Sequence, residues 1–390
     1  MHRLLTLLIL ALISPHTLAA SPKDAPLSVV YTNSDPVFKN FIEHFQKSNT
    51  LALDVAWVDQ SELAARLLAA KDDEHVPDVL ITAADLLGQH YEINASEIPR
   101  PLFEHYFKEQ PDIFNALRSE NEKLYGLPLT RGNHLVLYYN KKLIRQPATN
   151  WRELLAHRGF LSADTRLLGW NVLDMYWFIP FIASYGPLPT DASSIYFHPD
   201  TTTLALEFVW SLVNLGVLDI YCDYNCNLAS FSQGKMAYHI NGVWEIDNFE
   251  TALGDNLGIA PLPDREGQAL RSYYSTTALM FPRLSLDGAR KKDILAFIEF
   301  AYSTDAQKIL SQSRANFPFH HKNDKHNPNM ALLVQALDNA IPMPSKENMH
   351  LMWEGMLKGF VRFGGGAMDA REASDLMNQY LIQSTGTSSD

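Results

Sequence analysis

Two doubly wound α/β lobes are the fold this sequence predicts, and three observations predict it. Short apolar strands alternate with amphipathic helices from Leu27 onward, the order that builds a parallel sheet covered by helices on both faces. The chain is 390 residues long and 46% hydrophobic, more apolar material than one compact core ordinarily holds. The alternation also resumes after Leu135 and turns markedly helical from Lys291, so the chain reads as more than one unit.

Leu27 to Thr32 reads as the first strand. Pro36 to Lys47 reads as a helix because Val37, Phe38, Phe41, Ile42 and Phe45 recur on one face. Leu51 to Val58 alternates as a second strand, Ser61 to Ala70 is helical, and Val79 to Thr82 is a third strand. Lys123 to Pro128 makes a hairpin-like return into the apolar strand that starts at Leu135, and Thr149 or Asn150 is placed to cap a helix opening at Trp151. Further on, an apolar helix runs to Phe231, Gly234 supplies the left-handed residue past its end, and Met236 to Ile240 is a short buried strand. Asn241-Gly242 then turns sharply and delivers Trp244 to the start of the next helix. Such strand-to-helix corners are where ligands bind in open α/β sheets, beyond the carboxyl ends of the strands. Gly364-Gly365-Gly366 lacks a preceding strand and spaced glycines, so it reads as a helix-terminating turn, and Gln383 to Asp390 as a frayed end.

The first twenty residues read as an address. Met1-His2-Arg3 is basic, Leu4 to Ile13 is apolar but too short for a permanent span, and Thr17-Leu18-Ala19-Ala20 offers small residues for cleavage. The mature product is expected to be a soluble periplasmic monomer, because no cysteine near the cleavage site is available for a lipid anchor. Cys222 and Cys226 share one polar loop, and in an exported chain two nearby thiols are expected to form a disulfide. With 32 basic and 44 acidic residues, a net charge of −12 argues against nucleic acid or an anionic membrane as partner and disfavours a polyanionic ligand.

The ordered succession of these segments resembles the extracellular solute-binding proteins of ABC importers, the family that includes the maltose- and maltodextrin-binding proteins. The segment Phe231 to Trp244 resembles its helix, glycine, strand and Asn-Gly-x-Trp signature, and Pro77-Asp78-Val79 resembles its early strand. Pro147, Thr149, Trp151, Glu153 and Leu154 follow its helix start with Asn150 as one extra residue. Gly258 to Pro263 and Ala296 to Ala306 resemble its late strand and helix. The resemblance implies a periplasmic-binding-protein-like fold of two lobes joined by several crossings, near Arg131, Ser275-Thr276 and Lys325-His326. It divides the chain into a signal peptide at 1–20, one lobe at 21–131 and 277–325, and a second at 132–276 and 326–390. It implies a hinge-closing carrier with no enzymatic activity and no cofactor, whose partners are a small neutral sugar and an inner-membrane ABC permease.

A neutral sugar offers C–H faces that stack on aromatic rings and hydroxyls that need donors and acceptors. The resemblance carries stacking onto Trp244, Trp353, Tyr176 and Trp177, with core burial as the competing reading for each. It places Asp174 and Asp85 as hydroxyl-binding acids, Arg131 and Asn133 at the crossover, and Tyr273 on an aromatic cleft strand. Asn33 and Asp35 lie in the loop after the first strand, where a first-lobe contact belongs, although helix capping explains such residues equally well. Thr82, Leu86 and Asn133 depart from the maltodextrin pattern by removing one stacking face and two charges, so a different sugar fits as well. Glycerol phosphate, a polyamine or ferric ion are the alternative solutes on the same fold. No Gly-x-Ser-x-Gly, His-Glu-x-x-His or zinc-spaced cysteine and histidine set is present to support an enzyme or a metal site.

Overall fold

The computed structural model describes residues 25–59, 62–63, 66–67, 76–84, 93–108, 113, 117–119, 122–188, 197–320, 328–344 and 349–384. The signal segment, Asp85 and the crossing at Lys325-His326 lie outside them. Eleven strands are formed among the described residues: β1 (Leu27–Tyr31), β2 (Leu53–Trp57), β3 (Val79–Ala83), β4 (Gly126–Gly132), β5 (Leu135–Asn140), β6 (Arg166–Gly169), β7 (Met236–Gly242), β8 (Leu257–Ala260), β9 (Tyr273–Met280), β10 (Asn316–Pro318) and β11 (Ile341–Pro342). One sheet runs β10-β4-β9-β3-β1-β2 with β11 beside β9, and the other runs β6-β7-β5-β8.

Both sheets are mixed. β1, β2 and β3 are mutually parallel and β6 is parallel to β7, as strand–helix–strand alternation requires. β9, however, inserts antiparallel between β3 and β4, and β5 is antiparallel to both β7 and β8. These strands return from the opposite sheet, and periodicity carries no record of such pairing. β4 and β5 are consecutive but do not pair, which corrects the hairpin-like return read at Lys123 to Pro128. Between them Asn133 takes a left-handed φ of 59°, a conformation that Asn tolerates better than most residues, and the chain passes from one sheet to the other.

Burial explains why these segments are strands. Leu135 and Leu137 of β5 enter one core with Leu168, Tyr238 and Ile240, while Val136 and Tyr138 enter another with Phe231, Ile246 and Phe249. A strand covered on both faces needs an unbroken apolar run, and Leu135 to Tyr139 is one. The first sheet packs on the helix Pro36–Ser48, whose Phe41 and Phe45 meet Phe297 edge-on at 5.9 and 5.0 Å. No helix among the described residues is long and apolar enough to cross a membrane.

Register fixes which ends of the sheets face each other. Ala83 pairs with Thr277 and Leu80 with Met280, so β3 ends toward the part of β9 that enters from the second lobe. β1 and β2, being parallel to β3, end on the same rim. In the second sheet Gly242 pairs with Leu135, so β7 ends where β5 begins, and β6 ends beside it. The carboxyl ends of the parallel strands in the two lobes therefore look toward one another across the crossings.

Candidate functional site

The second-lobe rim is built from the corner after β7. The strand continues through Asn241 and Gly242, two residues beyond the expected end at Ile240, because Asn241 still pairs with Val136. The buried His239 ring donates from Nδ1 to the Gly169 carbonyl at 2.8 Å and accepts at Nε2 from the Asn241 amide at 3.0 Å. Asn241 Oδ1 in turn accepts the Gly242 N–H at 2.8 Å. Burial pushes the His239 pKa down to about 4, so the ring is neutral and the donor–acceptor chain is complete. This chain ties the end of β6 to the end of β7. Gly242 is needed there for space: a Cβ would stand 1.8 Å from the Trp244 ring.

Trp244 follows in a turn of 3-10 helix, Val243–Glu245, part-buried against the second-lobe core. Its indole N–H donates to the Tyr224 hydroxyl at 2.9 Å, and that hydroxyl donates to Glu245 Oε1 at 2.5 Å. Glu245 is buried, and its other oxygen accepts from the Asn248 amide at 2.7 Å. Burial first, and then the hydrogen bond to Glu245, push the Tyr224 pKa up to about 12. Trp177 lies behind, with its ring edge-on to Trp244 at 6.0 Å, to Tyr224 at 6.1 Å and to Tyr176 at 6.0 Å. Trp353, on the helix Met349–Gly364, meets Tyr176 at 6.3 Å. Four aromatic side chains predicted from sequence are thus in one cluster.

Their roles differ from the expectation in two places. Trp177 is only 4% exposed and its N–H is spent on the Ile240 carbonyl at 2.9 Å, so it supports the neighbouring rings instead of offering a face. Tyr273 is 0% exposed, its ring closed into the core, and only its backbone takes part in the rim. There the Tyr176 hydroxyl lies 2.7 Å from the Asn133 carbonyl and 2.9 Å from the Tyr273 carbonyl, gripping the two described crossings together. Asn133 adds a 2.6 Å bond from its amide to Ser275 Oγ, also between the crossings. Arg131 reaches Asp338 at 3.3 Å and lies over the Tyr274 and Phe319 rings at 6.0 and 5.7 Å, so it too is engaged at the hinge. Asp174 is exposed and caps the Tyr176 N–H at 3.0 Å, while the surrounding protein desolvates its carboxyl enough to raise the pKa. One such cap leaves most of a carboxylate's acceptor positions open to a hydroxyl.

On the first-lobe rim, Asp35 caps the helix Pro36–Ser48 through the Val37 N–H at 3.1 Å. Its other oxygen accepts from Ser313 Oγ at 2.5 Å and from the Asn316 amide at 3.0 Å. Asn33 donates to Asn316 at 3.0 Å and accepts the Asp35 N–H at 3.0 Å. This network uses both residues for architecture, the capping reading of the sequence. Asp85 lies outside the described residues.

Two members of the second-lobe cluster, Tyr224 and Glu245, are not marked by the sequence pattern, and neither is the exposed Trp57 of the first-lobe rim. Glu245 is adjacent to Trp244 and Tyr224 stands in the cysteine loop, but only the fold brings the three together. Trp57, at the end of β2, is 50% exposed with its indole N–H on the Thr32 carbonyl at 3.2 Å. Cys222 and Cys226 are bridged, with Cα atoms 5.1 Å apart, in the turn that opens the helix bearing Tyr224. Among the described residues no group of three or more His, Cys, Asp or Glu is arranged to hold a metal ion.

Residues 40–329 match the family described as bacterial extracellular solute-binding protein. The chain belongs to that family. A maltotriose-binding protein of Pyrococcus abyssi is 22% identical to it over 351 residues, an alignment that covers 84% of this chain and 75% of the relative. As an extracellular solute-binding protein, the chain carries its aromatic cluster on the rim where a two-lobed α/β fold receives a ligand.

Proposed function

We propose that this solute-binding protein captures a neutral sugar or oligosaccharide of the maltodextrin kind between its lobes, closes on the hinge, and delivers the solute to an inner-membrane ABC permease. In this reading it works in the periplasm as a monomer after removal of residues 1–20, with lobes at 21–131 plus 277–325 and 132–276 plus 326–390. The observation that carries it is the interlocked ring set Trp244, Trp177, Tyr176 and Trp353, whose Trp177 and Trp244 N–H groups are already bonded within the protein. Trp244, its N–H satisfied and its ring backed by the buried Trp177, presents a carbon face and asks no hydrogen bond of the ligand, which suits the C–H face of a pyranose. Trp244 and Trp353 stack, Tyr176 frames the site and holds the hinge, and Asp174 bonds hydroxyls. The name of the Pyrococcus abyssi relative supports maltotriose as the first ligand to try.

Titration calorimetry of the mature protein with maltotriose tests this. Trp244→Ala is expected to cost about 2 kcal/mol, roughly thirtyfold in affinity, with a smaller loss of stability because the ring is part-exposed. Unchanged affinity in a folded Trp244→Ala protein, or binding of glycerol phosphate, a polyamine or ferric ion in place of every sugar tried, would overturn the assignment.

A further inference from the structure

Resting on the sugar-capture reading, we propose that Trp57 is the first lobe's stacking surface for the sugar, making the site two-sided. Trp57 is the last residue of β2, opposite Tyr31 in register, and therefore stands on the first-lobe rim that faces the second lobe. Leu53 and Val55, on the same side of the strand, pack against the first-lobe core. Trp57 emerges beyond that core with half of its surface in water. Leaving so large an apolar surface uncovered is unfavourable, and covering it on ligand binding recovers that term.

The ring is also held in place. Its N–H donates to the Thr32 carbonyl at 3.2 Å, so the indole bridges from the edge strand across the end of β1, and its polar atom is satisfied before any ligand arrives. A ligand that covers it strands no donor and orders no loose side chain, the two costs that most weaken binding to an exposed aromatic. Beside it, the Thr32 hydroxyl donates to Thr82 Oγ1 at 3.1 Å, and Asn33 follows directly in the chain. A fixed apolar plane whose N–H is already bonded suits the C–H face of a pyranose. Thr32 and Thr82 are buried and bonded to each other, and Asn33 to Asn316 and Asp35, so the first-lobe contact rests on stacking. β1 separates β2 from β3, so Trp57 stands two strand spacings, about 10 Å, along the rim from Thr82. The first-lobe sugar position is accordingly over the sheet's outer strand, away from β3.

Calorimetry with maltotriose on the parent, Trp57→Ala, Trp57→Phe and Trp244→Ala tests this. Trp57→Ala is expected to bind about tenfold more weakly, and Trp57→Phe, which keeps a stacking face without the tether, to stay within about threefold of the parent. Oxidation of the parent by N-bromosuccinimide with peptide mapping gives a second readout that needs no variant, in which saturating maltotriose protects Trp57. Parental affinity in Trp57→Ala alongside weakened Trp244→Ala, or an unprotected Trp57 in the maltotriose complex, overturns the Trp57 assignment and leaves the sugar reading standing. A parent that binds no maltotriose and no other neutral sugar removes both.

Discussion

On the second-lobe rim the side chains brace one another: Trp177 backs Trp244, Tyr224 and Tyr176, and its N–H is anchored inside the core. On the first-lobe rim the polar side chains Asn33, Asp35, Ser313 and Asn316 spend their hydrogen bonds on each other. The difference teaches where affinity should reside. Rings whose polar atoms are already satisfied remain free to stack, whereas carboxylates and amides that are already paired must break a bond before they can hold a hydroxyl. Under the proposed function, the second lobe is therefore expected to bind first and the first lobe to close over what is bound.

Acid sharpens that contrast most strongly. His134, which ends the first crossing just before β5 and bonds the Leu333 carbonyl at 2.9 Å, has its pKa pushed down to about 3 by burial, and His239 is held at about 4. Unfolded, both rings take up protons near an ordinary value of about 6.5, so below that pH the unfolded state binds more protons and stability falls as pH falls. Each buried ring should cost about 2 kcal/mol between pH 7 and pH 5, at 1.36 kcal/mol per pKa unit, about 4 kcal/mol together. Chemical denaturation at the two pH values checks this. His239→Gln should shrink the pH dependence by about half. A flat profile would break the account of the second lobe.

Gly242→Ala comes next. Its Cβ would meet the Trp244 ring at 1.8 Å, so the indole must leave its seat, costing about 1–3 kcal/mol of stability and a loss of maltotriose affinity comparable to Trp244→Ala. Thermal unfolding and calorimetry on one sample separate the two effects. Asp35→Ala should do the opposite of a binding-site change. Losing the cap and its bonds to Ser313 and Asn316 is expected to cost about 1–2 kcal/mol of stability, with affinity in the surviving folded protein within about threefold of the parent. A large affinity loss with full stability would restore Asp35 as a ligand contact. The smallest effect is expected at Arg314, just before β10, which pairs with Glu250 and reaches Asp247 at 3.0 Å on the helix Ile246–Leu253 of the second lobe. The pair is part-exposed, so Glu250→Gln should cost about 1 kcal/mol or less, and the difference should fade in high salt.

The residues show why some of this was legible in sequence. Leu135 to Tyr139 announced a strand because both of its faces are buried, and Gly234, with φ 73°, marked the helix end. Gly242 and Trp244 marked the corner because the close approach of ring to backbone leaves room only for glycine. The antiparallel insertion of β9 was not legible, since pairing partners leave no period in the chain. Tyr273 and Trp177 look like cleft aromatics in sequence and are enclosed in the fold, whereas Trp57 continues the alternation of Leu53 and Val55 as a core residue would and is half in water. Asp35 was ambiguous for a chemical reason: a carboxylate that caps a helix and one that holds a sugar hydroxyl occupy the same strand-to-helix loop.

Amide hydrogen exchange of the mature protein with and without saturating maltotriose bears most directly on capture between the lobes. Slowed exchange is expected on both facing rims together, at residues 31–35 and 57–58 of the first lobe and at 170–178 and 241–246 of the second. Protection confined to one lobe, or no change at either rim, would contradict it.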